Sequence, residues 1–136
     1  VFERRRRVRR PDIEEDVAKL CELVENSAAT YFTAHVCRSA RALARLTAVN
    51  VAFRDYIAGA GQGTAFALSR RAVDPDILRG ISGPEAAQLL HDFGRMRIRS
   101  PALVEAVGHH MLGPDIIKQL DWQDIARAVW GVAKVG

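Results

Sequence analysis

The stretches PDILRGISGPEAAQLLHDFGRM (75–96) and PDIIKQLDWQDIARAVWGVAKV (114–135) align without a gap at an offset of 39 residues. Both open with Pro, Asp and Ile, and later pairs keep their character: Leu78 with Ile117, Glu85 with Asp124, and Arg95 with Lys134. A period of this length accommodates two helices and two short turns, and such a unit buries its apolar face only when it is stacked on a neighbour. The repeat therefore predicts an all-α chain, an α-solenoid of stacked helical hairpins.

The clearest copies are 75–113 and 114–136, and the second is expected to be truncated. A weaker relative lies upstream, because LARLTAVNVAFRDYIAG (43–59) resembles FGRMRIRSPALVEAVGH (93–109) at an offset of 50. The extra residues would be an insertion around GAGQG (59–63). That stretch is not a phosphate-binding loop, since a helix is predicted before it and no lysine follows. It is predicted to break the helix.

Helix start signals and 3.6-residue spacing support the helical prediction. Ser82 and Asp121 are the expected caps of the two repeated helices. After the first cap, a stripe of apolar residues follows at helical spacing: Ala86, Leu89, Leu90, Phe93 and Met96. After the second, one face carries Trp122, Ile125, Ala126, Val129 and Ala133. Because no further helix of this chain is available to cover that apolar face, a continuation or a partner is expected to do so.

Composition limits the class of protein. The 136 residues correspond to one domain or to a piece of a larger array, and nearly half of them are apolar. Only Cys21 and Cys37 could form a disulfide or bind zinc, and neither they nor the four histidines have metal-site spacing. No apolar run reaches the roughly 18 residues that a membrane span needs. We expect no cofactor, no metal, no membrane contact, no small-molecule substrate and no enzymatic activity.

The positive charge is concentrated at the N-terminus. Residues 1–10 (VFERRRRVRR) carry +5, whereas the remaining residues carry −1. We interpret residues 1–10 as a basic arm and residues 11–136 as the helical-repeat domain. The arginines predicted to contact RNA phosphates are Arg4, Arg5, Arg6, Arg7, Arg9 and Arg10. A solvated basic tail and the remnant of an Arg-rich mitochondrial targeting sequence are the alternatives.

A second basic group lies in the repeated region. It comprises Arg70, Arg71, Arg79, Arg95, Arg97 and Arg99, of which the last three cluster at a helix end and the following turn. Arg95, Arg97 and Arg99 are predicted to contact RNA as well. The alternative is a solvated helix end, where cations are favoured by the helix dipole. Trp130 is expected to pack between repeats, and Trp122 could be exposed in the first turn of its helix.

The last helix, DWQDIARAVWGVAKVG (121–136), resembles the signature helix of organellar helical-repeat proteins. These are the octotricopeptide-repeat and FAST-kinase-like families, which also occur in protist mitochondrial ribonucleoproteins. Ile125-Ala126 and the run from Val129 to Gly136 fill the signature, and RSPALVEAVGHHM (99–111) is similar to the helix that comes after it in the family. The earlier copy departs from the signature, since His91 stands where Trp is common.

The resemblance implies a mitochondrial protein that binds RNA, or a subunit of a ribonucleoprotein such as the mitoribosome. We therefore predict a non-enzymatic RNA-binding and scaffolding subunit. Its expected partners are RNA, with ribosomal RNA as the leading class, and neighbouring proteins of a large complex. One alternative is a protein-binding α-solenoid subunit of another organellar complex, such as a respiratory assembly. Another is a regulatory repeat protein that acts on transcripts.

Overall fold

In a computed structural model, the described part of the chain comprises the backbone of residues 2–136 and the side chains of residues 15–136, and it contains no β-strand. Its α-helices are α1 (Phe2–Ser27), α2 (Thr33–Val49), α3 (Val51–Ala58), α4 (Gln62–Ala72), α5 (Pro75–Leu78), α6 (Gly83–Arg95), α7 (Pro101–Met111), α8 (Pro114–Ile117) and α9 (Trp122–Val135). A short 3-10 helix, Ala28–Thr30, joins α1 to α2. The predicted all-α class is confirmed. Among the described residues, no helix is both long and apolar enough to cross a bilayer.

The side chains of the predicted basic arm, residues 1–10, lie outside the described residues. The role assigned to its arginines therefore stays a prediction. The predicted helix break at GAGQG is confirmed, because α3 ends at Ala58 and α4 begins at Gln62.

The two repeated helices begin in the same way. At the start of α6, the Glu85 N–H donates to Ser82 Oγ at 3.2 Å, and the Ser82 N–H donates to Glu85 Oε1 at 3.0 Å. At the start of α9, Asp121 and Asp124 make the same reciprocal pair at 2.8 and 3.1 Å. Each pair satisfies N–H groups that a helix start leaves without partners. The predicted caps, Ser82 and Asp121, are confirmed.

The long helices of the repeats lie side by side, with α6 packed between α2 and α9. Helices α4 and α7 contact each other and lie against α2 and α6 respectively, while α1 packs on α3 and α4. The core is continuous across these helices and includes Val36, Leu43, Leu68, Leu90, Phe93, Leu103 and Val107. The short helices α5 and α8 lie in the turns that precede α6 and α9.

One contact between neighbouring units occurs twice. Thr33, the first residue of α2, donates its hydroxyl to the carbonyl oxygen of Ile77 in α5 at 2.9 Å. Gly83, the first residue of α6, donates its N–H to Gln119 Oε1 at 2.7 Å. A Cβ built on Gly83 would lie 3.0 Å from the carbonyl oxygen of Ile116, which aligns with Ile77 in the sequence repeat. The first residues of α2 and α6 therefore each lie close to the next short helix along the chain, although the two hydrogen bonds join different groups.

Helix α9 approaches α6 at a glycine. A Cβ built on Gly131 would lie 2.5 Å from the carbonyl carbon of Leu90 and 2.9 Å from the nitrogen of His91. Real Cβ atoms do not approach a backbone this closely, so only glycine permits the observed separation of the two helices.

Candidate nucleic-acid interface

A groove of about 560 Å³ lies where α2, α6 and α9 end. Its lining residues, which we call the basic groove, are Thr47, Ala48, Arg54, Gly94, Arg95, Arg97, Arg99, Trp130 and Lys134. Five of these nine side chains are cationic and none is a carboxylate. With described carboxylates, the five cations form no salt bridge within 4.0 Å. The structure thus brings together the predicted Arg95, Arg97 and Arg99 and adds two further cations.

The repeat places cations at the same position of successive helices. Arg45 in α2, Arg95 in α6 and Lys134 in α9 align at the offsets of 50 and 39 residues. Arg95 and Lys134 lie in the last turns of their helices, where the helix dipole favours positive charge. These two line the basic groove, and Arg45 is exposed on α2.

Arg97 has an unusual backbone conformation. Its φ is 58°, and it is the one non-glycine residue with positive φ in the described part. It comes directly after the C-cap of α6 in a Schellman motif: the Arg97 N–H donates to Gly94 O at 3.1 Å, and the Ile98 N–H donates to Phe93 O at 3.2 Å. Glycine normally occupies this position, because a Cβ there costs roughly 1–2 kcal/mol. An arginine is therefore held in a strained conformation at the mouth of the basic groove.

The turn after α6 is tied to the end of α9. The Ser100 N–H donates to the carbonyl oxygen of Val135 at 2.8 Å, and Arg99 Nη2 donates to that of Gly136 at 3.2 Å. These bonds fix Arg99 beside Lys134. Arg54 reaches the same groove from α3, which is joined to α2 by a single residue, Asn50.

Trp130 supplies an aromatic face to the basic groove. Its side chain packs against α6, since a Cβ built on Gly94 would lie 2.8 Å from the indole ring. Its packing between repeats stays a prediction. The side chain is nevertheless 40% exposed. Lys134 Nζ lies 5.8 Å from the ring centroid, within range of a cation–π interaction.

His91 lies behind Trp130, with the two ring centroids 4.8 Å apart. Its Nδ1 is buried and has no hydrogen-bond partner among the described residues. Burial lowers the pKa of His91, and the charges of Arg95, Arg127 and Arg41 lower it further. The fold therefore favours the neutral form of the imidazole, whose ring lies beside the indole of Trp130.

The remaining members of the predicted second basic group lie elsewhere. Arg71 donates to the carbonyl oxygen of Tyr31 at 2.8 Å and pairs with Asp74 at 3.5 Å. Arg79 pairs with Asp76, one turn before it. Arg70 lies next to Arg71 on α4 and does not line the basic groove. The cluster seen in the sequence is therefore divided by the fold into a groove and a set of local ion pairs.

A second groove, of about 390 Å³, lies between the first halves of α2, α6 and α9. Its charged residues have both signs: Arg38, Arg41 and Arg127 with Glu85, Asp92 and Asp124. Asp92 is buried and accepts a hydrogen bond from Gln88 Nε2 at 2.9 Å, and burial raises its pKa. Burial also raises the pKa of Cys37 to about 12, so it stays an unreactive thiol. Mixed charge makes this groove, which we call the mixed groove, a poor site for a polyanion.

Sequence reasoning missed Arg54 and Lys134 as members of the basic groove. Lys134 could have been found, because the repeat aligns it with Arg95. Arg54 could not, since its position depends on how α3 turns back against α2. No group of three or more described His, Cys, Asp and Glu residues is placed to hold a metal ion.

No protein-family model, curated protein or solved structure matches this chain.

Proposed function

We propose that this protein is a non-enzymatic RNA-binding subunit that holds an RNA backbone in the basic groove. The observation that carries the proposal is the groove's composition: five cations without a carboxylate, around a partly exposed tryptophan. Arginine forks bind phosphate oxygens in pairs, and a tryptophan face accepts a stacked base. A positively charged groove with an aromatic platform is the arrangement that binds single-stranded nucleic acid.

The contrast with the mixed groove supports this assignment. Both grooves cross the same three helices, but Glu85, Asp92 and Asp124 reduce the positive potential in one of them. A polyanion that lies across α2, α6 and α9 would therefore be held at the helix ends, where the cations are not offset.

The wider setting is part of the proposal. The resemblance of residues 121–136 to organellar repeat proteins supports a place in a mitochondrial ribonucleoprotein, such as the mitoribosome. The recurring contact of a long helix with the next short helix supports an α-solenoid architecture. The Arg-rich segment 1–10 would act as a second, sequence-independent anchor on RNA.

The test is a salt titration with a fluorescein-labelled oligouridylate, monitored by fluorescence anisotropy. We expect the double variant Arg95→Gln/Lys134→Gln to bind more weakly. The slope of log K against log salt should fall by about 1.4, because each phosphate contact to a single strand contributes roughly 0.7. The matched control is Arg70→Gln/Arg79→Gln, which removes the same charge outside the groove and should keep the slope of the unmodified chain.

Equal slopes for the two double variants would overturn the assignment to the basic groove. A chain that lacks residues 1–10 measures the arm separately, and its slope should fall in addition to the groove effect. If neither the groove nor the arm changes binding, and association with a protein is insensitive to salt, the protein-binding alternative replaces this function.

A further inference from the structure

The mixed groove contains a buried carboxylate that the chain leaves incompletely partnered. Asp92 lines this groove and is only 2% exposed. Among the described residues it accepts one side-chain hydrogen bond, from Gln88 Nε2 at 2.9 Å, and it forms no salt bridge within 4.0 Å. An ionised carboxylate accepts about four hydrogen bonds, and an unpaired buried charge is costly. Asp92 therefore has acceptor sites left over at the wall of the groove.

The internal repeat indicates that packing does not require this carboxylate. Asp92 aligns with Gly131 of α9 at the offset of 39 residues and with Ala42 of α2 at the offset of 50. Both of these residues are small and have no polar side chain. A carboxylate that costs stability, at a position where the related helices have glycine or alanine, is typical of a functional site.

Two kinds of charged group surround Asp92 in the mixed groove. Glu85 and Asp124 are already engaged, because each accepts the N–H of its own helix cap, at 3.0 and 3.1 Å. Arg38 and Arg41 reach the groove from α2 and form no salt bridge with a described carboxylate. These two arginines would repel an incoming guanidinium or ammonium group. The groove therefore suits a neutral group that has donors for Asp92 and acceptors for arginine.

The charge state of Asp92 is set by opposing influences. Burial raises its pKa, whereas the hydrogen bond from Gln88 and the positive charges of Arg41, Arg95 and Arg45 act against this rise. A bound group that donates hydrogen bonds to the carboxylate would favour its ionised form further.

The mixed groove lies next to the basic groove along the same helix. Gln88, Asp92 and Arg95 are spaced by four and three residues, which places them along one side of α6. Asp92 lines the mixed groove and Arg95 lines the basic groove, and the helix rises only about 4.5 Å between them. A strand with its phosphates in the basic groove can therefore place a base beside Asp92.

We propose that the mixed groove binds the guanine base of a guanosine in RNA, with Asp92 accepting hydrogen bonds from N1–H and the N2 amino group. This inference rests on the proposed function and adds a base preference to it. Guanine has two adjacent donors for a carboxylate and two acceptors, O6 and N7, that arginine binds in pairs. Uracil has a carbonyl oxygen on each side of its N–H, and these oxygens repel a carboxylate. Adenine and cytosine each offer one amino group beside an acceptor nitrogen.

The test compares three fluorescein-labelled strands by fluorescence anisotropy with the full chain. One is an oligouridylate, and the other two carry a single central guanosine or inosine. The guanosine strand should bind about tenfold more tightly than the oligouridylate, which is the size of discrimination that a paired contact to a base supplies. Inosine lacks the N2 amino group, so the inosine strand should lose most of this gain.

Asp92→Asn should remove the preference for guanosine, because the amide replaces one acceptor with a donor. It should keep the dependence of the salt slope on Arg95 and Lys134, which lie in the basic groove. The matched control is Glu105→Gln, which removes a carboxylate from an exposed position of α7 outside both grooves. This control should bind the guanosine strand as tightly as the unmodified chain does.

The base site is wrong if guanosine and uridine strands bind equally, or if the preference persists in Asp92→Asn. These results contradict the base site alone when the salt slope still depends on Arg95 and Lys134. Loss of that dependence would overturn the proposed function and the base site together. The comparison of guanosine with inosine needs no protein variant, so it decides the question even when Asp92→Asn does not fold.

Free guanosine monophosphate is the other source of the same base. It should compete with the labelled guanosine strand at least about tenfold more weakly than an unlabelled copy of that strand, because it lacks the phosphates that lie in the basic groove. Equal competition would assign the mixed groove to free guanine nucleotides and would contradict a role in RNA binding.

Discussion

Helices α6 and α9 align in sequence at an offset of 39 residues, yet the aligned residues differ in exposure. Leu90 and Phe93 are fully buried, whereas the aligned Val129 and Val132 are exposed. Both helices start with a reciprocal cap and both carry an apolar stripe at helical spacing. The difference lies in the neighbours, because α6 packs against α2, α7 and α9, whereas α9 packs against α6 and α7 and keeps Val129 and Val132 exposed. Whether an apolar residue of such a helix is buried therefore depends on the neighbouring helices as well as on the sequence pattern.

The two copies also differ where their helices end. The repeat aligns Arg97 with Gly136, so the first copy has an arginine where glycine is the residue expected at a left-handed position. The same turn carries Arg95 and Arg99 into the basic groove. The left-handed conformation of Arg97 therefore destabilises the end of α6, while the same residue adds a cation to the basic groove.

The largest expected effect on stability is the difference between substitutions at the aligned residues Leu90 of α6 and Val129 of α9. Leu90→Ala should lower the free energy of unfolding by about 2–5 kcal/mol, because it leaves a cavity where a fully buried side chain was. Val129→Ala, at the aligned position, should change it by less than about 0.5 kcal/mol, since the side chain is mostly solvated. Urea denaturation of both variants measures the difference. Similar losses of unfolding free energy for the two variants would mean that Val129 is buried in the isolated chain.

A smaller effect of opposite sign is expected at the helix end. Arg97→Gly should stabilise the protein by up to about 1 kcal/mol, because glycine adopts the left-handed conformation without the steric cost of a Cβ. Urea denaturation measures this gain. The same variant should lower the salt slope of RNA binding by about 0.7, through loss of one phosphate contact.

Arg99→Gln is the control for Arg97→Gly, because it removes a neighbouring groove cation from a residue without positive φ. It should weaken RNA binding without the gain in stability. A destabilised Arg97→Gly protein would show that the arginine side chain stabilises the turn. It would contradict the prediction that Arg97 strengthens RNA binding at a cost in stability.

The smallest effect concerns His91, which aligns with the non-titrating Trp130. The pKa of His91 is lowered by burial in the folded state, whereas the unfolded chain protonates near its usual value of 6.5. The folded state then binds fewer protons, so stability is fully present above about pH 6.5 and falls as the pH drops towards the folded-state pKa. His91→Gln should reduce the loss of Tm between about pH 7.5 and 5.5.

The unmodified chain, measured over the same pH range, serves as the control. If His91→Gln shows the same fall in Tm as the control, the neutral state of the imidazole contributes nothing measurable to stability.

Much of the helical layout could be predicted from local signals. The caps at Ser82 and Asp121, the proline-led short helices and the glycine break all depend on residues close in sequence. Part of the candidate site could be predicted too, because Arg95, Arg97 and Arg99 are adjacent in the chain. Arg54 could not be added by any local rule, because its place in the groove depends on how α3 packs. The ion pairs of Arg71 with Asp74 and of Arg79 with Asp76 span only three residues, so local spacing could have indicated them.

The sequence by itself determined where the helices start, which of their sides are apolar, and that residues 75–96 align with residues 114–135. Those properties result from backbone capping and side-chain periodicity, which act over a few residues. The tertiary structure decided which apolar side is covered and which cations share a groove. Both depend on the close seating of α9 on α6 at Gly131, a contact between segments about 40 residues apart in sequence, in keeping with the repeat period. Leu90 is buried next to this contact, whereas Trp130 lines the basic groove and Trp122 is exposed.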